Sequence, residues 1–137
     1  MDFDLQSAAI ILINKGKVLM QLRDDKPNID FPNHWCLPGG KVEPDEEERK
    51  GAQRELLEET GYISKNPIFL HSEIYTTKGG RRIKRNIFYE IYDGKQEIKC
   101  LEGQKMEFKS PDELSLLKVY SDHFDLIKRA IGIVNQK

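Results

Sequence analysis

Apolar positions recur along the chain in two rhythms, and each rhythm predicts an element. From Leu5 to Ile13 both alternating faces are apolar, with Ser7, Ala9, Ile11 and Ile13 on one and Ala8, Ile10 and Leu12 on the other. That pattern predicts a strand buried on both sides. Asn14-Lys15-Gly16-Lys17 is turn chemistry, and Val18 to Arg23 alternates again, with Val18, Met20 and Leu22 apolar and Arg23 on the opposite face beside Leu19 and Gln21. The two stretches form a hairpin or neighbouring strands. A polar loop, Asp24 to His34, leads into the short strand Trp35-Cys36-Leu37 and a tight glycine turn, Leu37-Pro38-Gly39-Gly40. Further on, Pro67 to Thr77 and Arg81 to Tyr92 read as strands joined by the turn Thr77-Lys78-Gly79-Gly80, and Arg85 shares a face with Ile83, Ile87, Tyr89 and Ile91.

The slower rhythm marks helices. Asp45 is placed to cap one that runs to Gly61, whose glycine supplies a left-handed end, while Ala52, Leu56 and Leu57 form its apolar edge. Gly51 in its interior costs about 1 kcal/mol relative to Ala, which implies close packing there. Ser110-Pro111-Asp112-Glu113-Leu114 begins a short capped helix, and Asp122 to Ile133 gives a closing amphipathic one with Phe124, Ile127, Ile131 and Val134 inward. Strands, helix, strands, helix in this order predict an α+β fold, an α/β/α sandwich with a mixed β-sheet. The 137 residues hold no internal repeat or linker, so residues 1–137 form a single domain.

Composition narrows the partners. A net charge of −1 and a pI near 6.3 give no global pull towards nucleic acid or an anionic membrane, so neither is an expected partner. The only basic cluster, Arg81, Arg82, Lys84 and Arg85, reads as a solvated hairpin tip, and its aromatic interleaving is too sparse for an RNA surface. The amino terminus is acidic where a signal peptide is basic, and its apolar run is too short to span a bilayer. Cys36 and Cys100 lie far apart without metal-ligand spacing, which suits two reduced thiols in a cytoplasmic protein. His34, His71 and His123 are isolated and carry no assignment, and Trp35 is read as core, with base stacking as the alternative.

The chemistry concentrates between Gly39 and Tyr62. Glu55, Glu58 and Glu59 stand at i, i+3 and i+4, so a helix presents all of them along one face. Repulsion in such a set costs only about 0.2–0.5 kcal/mol per pair, and a solvated acidic face is the default for any acidic helix taken alone. Here Arg54 sits inside the set, where it can orient Glu55 and Glu58, and the upstream glycines let backbone approach a ligand closely. Clustered oxygen donors of this kind suit a hard divalent cation, Mg²⁺ above all.

This stretch resembles the signature of the Nudix hydrolases, MutT-like branch. That pattern runs Gly, five residues, Glu, seven residues, then Arg-Glu-aliphatic-any-Glu-Glu-any-Gly-aliphatic, and Gly40, Glu46, Arg54, Glu55, Leu56, Glu58, Glu59 and Gly61 match it. Tyr62 departs, an aromatic at a position that prefers an aliphatic residue and is structural. The resemblance implies the Nudix fold and a Mg²⁺-dependent enzyme, with Mn²⁺ able to substitute, that cleaves the pyrophosphate linkage of a nucleoside diphosphate joined to a moiety X. It implies Glu58, Glu59 and the Gly39 carbonyl as metal ligands and Glu55 as ligand or general base. Glu102, in Leu101-Glu102-Gly103-Gln104, matches the branch's further carboxylate ligand, with Glu107 as its rival. Arg54 and Glu46 hold the others in place.

The substrate side is sparser. Arg23 reads as a strand-end arginine or a phosphate clamp, Arg85 as an arginine that snorkels at the strand edge or turns into a cleft, and Gly40 as a point of close backbone approach. Asp122 starts the last helix, where relatives place a base-reading polar residue and where an N-cap is already needed. ADP-ribose-selective members carry a proline where this chain has Thr77, and dinucleoside-polyphosphate members a tyrosine near Gly79 and Gly80. The remaining subclass is a nucleoside triphosphate pyrophosphohydrolase, oxidised nucleotides included. ADP-ribose or nucleotide-sugar pyrophosphatase, an RNA 5′-end pyrophosphohydrolase and a non-catalytic nucleotide sensor are the alternatives. Relatives are often dimers, which leaves a homodimer open.

Overall fold

A computed structural model describes residues 2–120 and 123–136, and its sheet is built around β1 (Leu5–Asn14). The turn through Lys15 and Gly16, both with positive φ, returns the chain antiparallel as β2 (Lys17–Leu22), pairing Ile13 with Val18. On its other edge β1 runs parallel to β6 (Arg82–Ile91), from Leu5 opposite Ile83 to Ile13 opposite Ile91. β3 (Trp35–Cys36) and β4 (Gly39–Lys41) precede helix α1 (Glu48–Thr60), and β5 (Ile68–Thr76) pairs antiparallel with β6. β7 (Lys105–Lys109), α2 (Pro111–Leu114) and α3 (His123–Asn135) complete the chain. The sheet is mixed and seven-stranded, ordered β3-β2-β1-β6-β5, with β4 on β1 and β7 on β2.

Both faces of β1 are buried, as its sequence requires. Ala9, Ile11 and Ile13 pack with Val18, Met20 and Ile87 against Leu126, Ile127 and Ala130 of α3. Ala8, Ile10 and Leu12 pack with Leu19 and Phe88 against Ala52 and Leu56 of α1. The result is the α/β/α sandwich, and Tyr62 fills the second core as a structural residue, 1% exposed.

Several expectations are corrected. The N-cap of α1 is Glu47, not Asp45, and makes no side-chain cap bond; Glu46 instead turns back to accept from the Glu43 amide at 3.0 Å. Leu57 is 46% exposed, because only Ala52 and Leu56 of that edge reach the sheet. Of the segment expected as a glycine turn, Leu37 and Pro38 link two strands while Gly39 and Gly40 begin β4, with Gly40 opposite Ala8 and Gly39 opposite Ala9. On α3 the expected Ile127 is fully buried and Phe124, Ile131 and Val134 pack partly buried on the same core, but Leu126 and Ala130, not foreseen, are the more deeply buried neighbours of Ile127. Ser110 closes a reciprocal capping box with Glu113, as read.

Candidate active site

Arg54 is the hub of the acidic helix. Its Nε and Nη2 clasp both oxygens of Glu46 at 2.9 and 3.0 Å, Nη1 donates to Glu55 at 3.2 Å and to Glu58 at 3.1 Å, and Nη2 also reaches the Lys41 carbonyl at 2.8 Å. One guanidinium thus orients three carboxylates and ties α1 to β4. The bond to Arg54 holds Glu46 below the usual carboxylate range, and Glu46 in turn keeps Arg54 charged. Gly51 makes room for this clasp, since a Cβ there would lie 3.0 Å from Glu46 Oε1 and 3.2 Å from Val42 Cγ2.

Glu59 points inward, 3% exposed, and accepts from the Gly39 amide at 3.1 Å. Burial, then the neighbouring Glu102 and Glu55, pushes it up to about 9. Glu102 arrives on a strap without regular structure. The Lys99 and Leu101 amides bond the Thr60 and Glu59 carbonyls at the end of α1, each at 2.9 Å. On the other side Gln21 Nε2 donates to the Glu102 carbonyl at 3.1 Å, and the Gln104 amide to Leu22 O at 2.8 Å. Gly103, at φ +82°, lets this strap lie on β2, because a Cβ there would be 2.8 Å from Leu22 O.

Glu55 rests against β4. A Cβ on Gly40 would lie 2.5–2.7 Å from its carboxylate atoms, so glycine is what admits it. Burial, against the pull of Arg54, raises Glu55 above the ordinary range. Glu55, Glu59 and Glu102 therefore crowd three carboxyl groups into one groove, and the donor set is all hard oxygen. The chemistry of such a groove suits Mg²⁺ or Mn²⁺, which Glu55, Glu58, Glu59, Glu102 and the Gly39 carbonyl could hold. Among the described residues no three acidic, histidine or cysteine side chains already stand at metal-ligand spacing. A cation would thus draw these carboxylates closer together than they stand here.

On the other side of Gly39 and Gly40 a cleft of about 220 Å³ opens, with Arg23, Asp30, Tyr75, Arg85, Tyr120 and His123 in its walls. Arg85 is buried, donates to Glu73 Oε1 through Nε and Nη2 at 3.1 and 2.5 Å, and lies 4.9 Å from the Tyr75 ring and 5.6 Å from the Tyr120 ring. Arg23 donates to the Asp30 carbonyl at 2.8 Å. Burial pushes the Cys36 thiol in the same wall up to about 11, so it is an inert packing group. A separate cavity of about 290 Å³ under Ile63, Ile68 and Ile91 contains none of the assigned side chains, and its buried Glu90 accepts from Ser64 Oγ at 2.6 Å.

The structure gathers Glu46, Arg54, Glu55, Glu58, Glu59, Glu102 and Gly39 on one side of β4, and Arg23, Gly40 and Arg85 along the cleft. Asp122 lies outside the described residues. Glu107 is on β7 opposite Met20, bonded to Lys109 at 2.9 Å and away from the groove. The basic cluster divides: Arg81 and Arg82 are exposed, Lys84 sits over the Phe3 ring, and Arg85 is inside the cleft. Trp35 is core. Sequence reasoning missed Tyr75, Tyr120 and His123. The hairpin turn held a signal for Tyr75, since its register puts Glu73 opposite Arg85 and Tyr75 opposite Ile83. Nothing local marked His123.

The family described as NUDIX domain matches residues 4–130. A Bacillus subtilis (strain 168) protein provisionally named an 8-oxo-dGTP diphosphatase is 43% identical over 115 residues, 83% of this chain and 72% of that protein. The CTP pyrophosphohydrolase of Escherichia coli (strain K12) is 30% identical over 109 residues, 80% of this chain and 78% of its own. The solution structure of the E. coli ORF135 protein superposes with a TM-score of 0.76 at 27% identity, covering 96% of this chain and 90% of that one.

Proposed function

The chain belongs to the Nudix hydrolases, enzymes acting on nucleotide pyrophosphate bonds, and from that premise we propose that it is a Mg²⁺-dependent nucleoside triphosphate pyrophosphohydrolase, oxidised nucleotides included among its substrates. The observation that carries this reading is the adjacency of two half-sites across β4, a carboxylate groove gathered by Arg54 and Gly39 and an arginine- and tyrosine-lined cleft. Two relatives whose names specify a nucleoside triphosphate, spanning most of both chains, favour that substrate over ADP-ribose.

Water attacks phosphorus, the bridging P–O bond breaks, and a nucleoside monophosphate and pyrophosphate leave. When bound, the divalent cation supplies charge neutralisation and a lowered pKa for water. The chain's own part is positioning. Arg54 fixes Glu55 and Glu58, the Gly39 amide fixes Glu59, and the strap on β2 delivers Glu102. Glu55 serves as ligand or as acceptor of the water proton. Tyr75, Tyr120 and Arg85 receive the base, and Arg23 the phosphates beside Gly40.

The test is product analysis over a panel of ordinary and oxidised nucleoside triphosphates, ADP-ribose, nucleotide sugars and triphosphorylated RNA. Monophosphate plus pyrophosphate from a triphosphate is the expected result. Turnover confined to ADP-ribose, a nucleotide sugar or RNA would overturn the subclass. No helix among the described residues is long and apolar enough to cross a membrane.

A further inference from the structure

One buried side chain in the cleft has no part in the hydrolysis just described. His123 is 5% exposed, opens α3 and lies flat on Tyr120, with ring centroids 4.8 Å apart and planes at 21°. Its Nδ1 is 3.5 Å from the Leu37 amide nitrogen, and its Nε2 is 3.5 Å from Arg85 Nη1. Both of those neighbours are donors only. Burial and the Arg85 charge push the imidazole down to about 3, so at neutral pH it carries one N–H and offers one lone pair. A single ring can accept from Leu37 or from Arg85, but not from both. Each contact sits at the long limit of a hydrogen bond, the geometry of one acceptor shared by two donors.

The two donors belong to different halves of the site. Leu37 leads through Pro38 into Gly39, whose amide fixes Glu59, whereas Arg85 stands in the cleft between Tyr75 and Tyr120. We propose that His123 is a positioning residue that couples nucleotide occupancy of the cleft to the placement of β4 beside the carboxylates. An acceptor on the bound nucleotide draws the Arg85 guanidinium away, the ring proton settles on Nε2, and Nδ1 takes the Leu37 amide. The change moves one proton between two ring nitrogens by exchange with water and leaves the ring neutral. This coupling rests on the nucleotide reading above.

The tautomer is read directly by ¹⁵N NMR of the imidazole in the full chain, with and without α,β-methylene analogues of dGTP and CTP, which resist cleavage between those phosphates. Shared acceptance gives averaged nitrogen shifts in the free protein and a clean Nε2–H pattern with the analogue bound. An analogue that shifts the Tyr75 and Tyr120 resonances but leaves both His123 nitrogens unmoved overturns the coupling alone. Failure of either analogue to bind overturns the nucleotide reading, and the coupling with it. In kinetics, His123→Leu lowers kcat roughly tenfold with KM nearly unchanged, and His123→Asn, which keeps an acceptor for Leu37, restores most of it. A raised KM at unchanged kcat in both variants would mark a plain wall of the cleft and overturn the proposal.

Discussion

Gly39 and Gly40 differ in what a single methyl group would strike. At Gly40 it meets the Glu55 carboxylate at 2.5–2.7 Å, the movable end of a side chain; at Gly39 it meets the Ala8 carbonyl oxygen at 2.3 Å and Ala9 Cα at 2.7 Å, both backbone. Gly40→Ala is therefore expected to displace Glu55 and cut turnover by roughly tenfold or more with little change in urea midpoint. Gly39→Ala is expected to lose about 1–3 kcal/mol of stability, visible in the same denaturation series. His123 and Glu59 contribute to the pH dependence with opposite signs, since Glu59 is raised to about 9 and favours the folded chain as pH falls. His123 is depressed from 6.5 to about 3, with Arg85 of β6 and the Tyr120 ring facing it, so the unfolded chain takes up the proton first. Its contribution is present above pH 6.5 and declines as pH falls below that, by about 1.4 kcal/mol per unit. Relative to the wild type, the urea midpoint of His123→Asn should therefore rise as pH is lowered from 7 to 5.

α1 shows how much an element owes to its pattern and how much to its neighbours. Its carboxylate face, its glycine end and Leu56 were all legible in the order of residues. Its start and the exposure of Leu57 were not, because Glu46 is drawn back by Arg54 and the Glu43 amide, and the sheet reaches only one edge of the helix. Leu56→Ala should accordingly cost about 2–5 kcal/mol, and Leu57→Ala within about 0.5 kcal/mol of nothing, as measured by chemical denaturation. The strap is the opposite case. Residues 99–104 have no periodicity, so only the resemblance to the family brought Glu102 to the groove, while its means of attachment, Gln21 and Gly103, is purely tertiary. Gly103→Ala combines a positive φ with a clash against Leu22 O. The same methyl meets Gln21 Cγ at 2.9 Å, so the variant should loosen the strap and weaken Mg²⁺ affinity roughly tenfold, read by isothermal titration.

At the scale of the molecule, β1 carries both cores on its two faces and β4 on its edge, so the groove and the cleft are fastened to the most deeply buried strand. That β1 lies inside the sheet was readable from alternation, since a strand apolar on both faces must lie inside, whereas its parallel pairing with β6 was not. The cleft was readable only in part. Arg85 announced itself as a charge on an apolar face, but Tyr120 and His123 reach it through the docking of α3 and through the Trp35–Val119 bridge, which no local spacing encodes. The chemistry proposed for the groove is pyrophosphate-bond hydrolysis assisted by a divalent cation that these glutamates gather. It is tested most directly by pyrophosphate release from the best triphosphate with Mg²⁺, with excess chelator, and in Glu58→Gln. Turnover is expected to be abolished by chelator, restored by Mg²⁺ and lowered by at least about a hundredfold in the variant. Turnover that persists in chelator, or survives intact in Glu58→Gln, would contradict that chemistry.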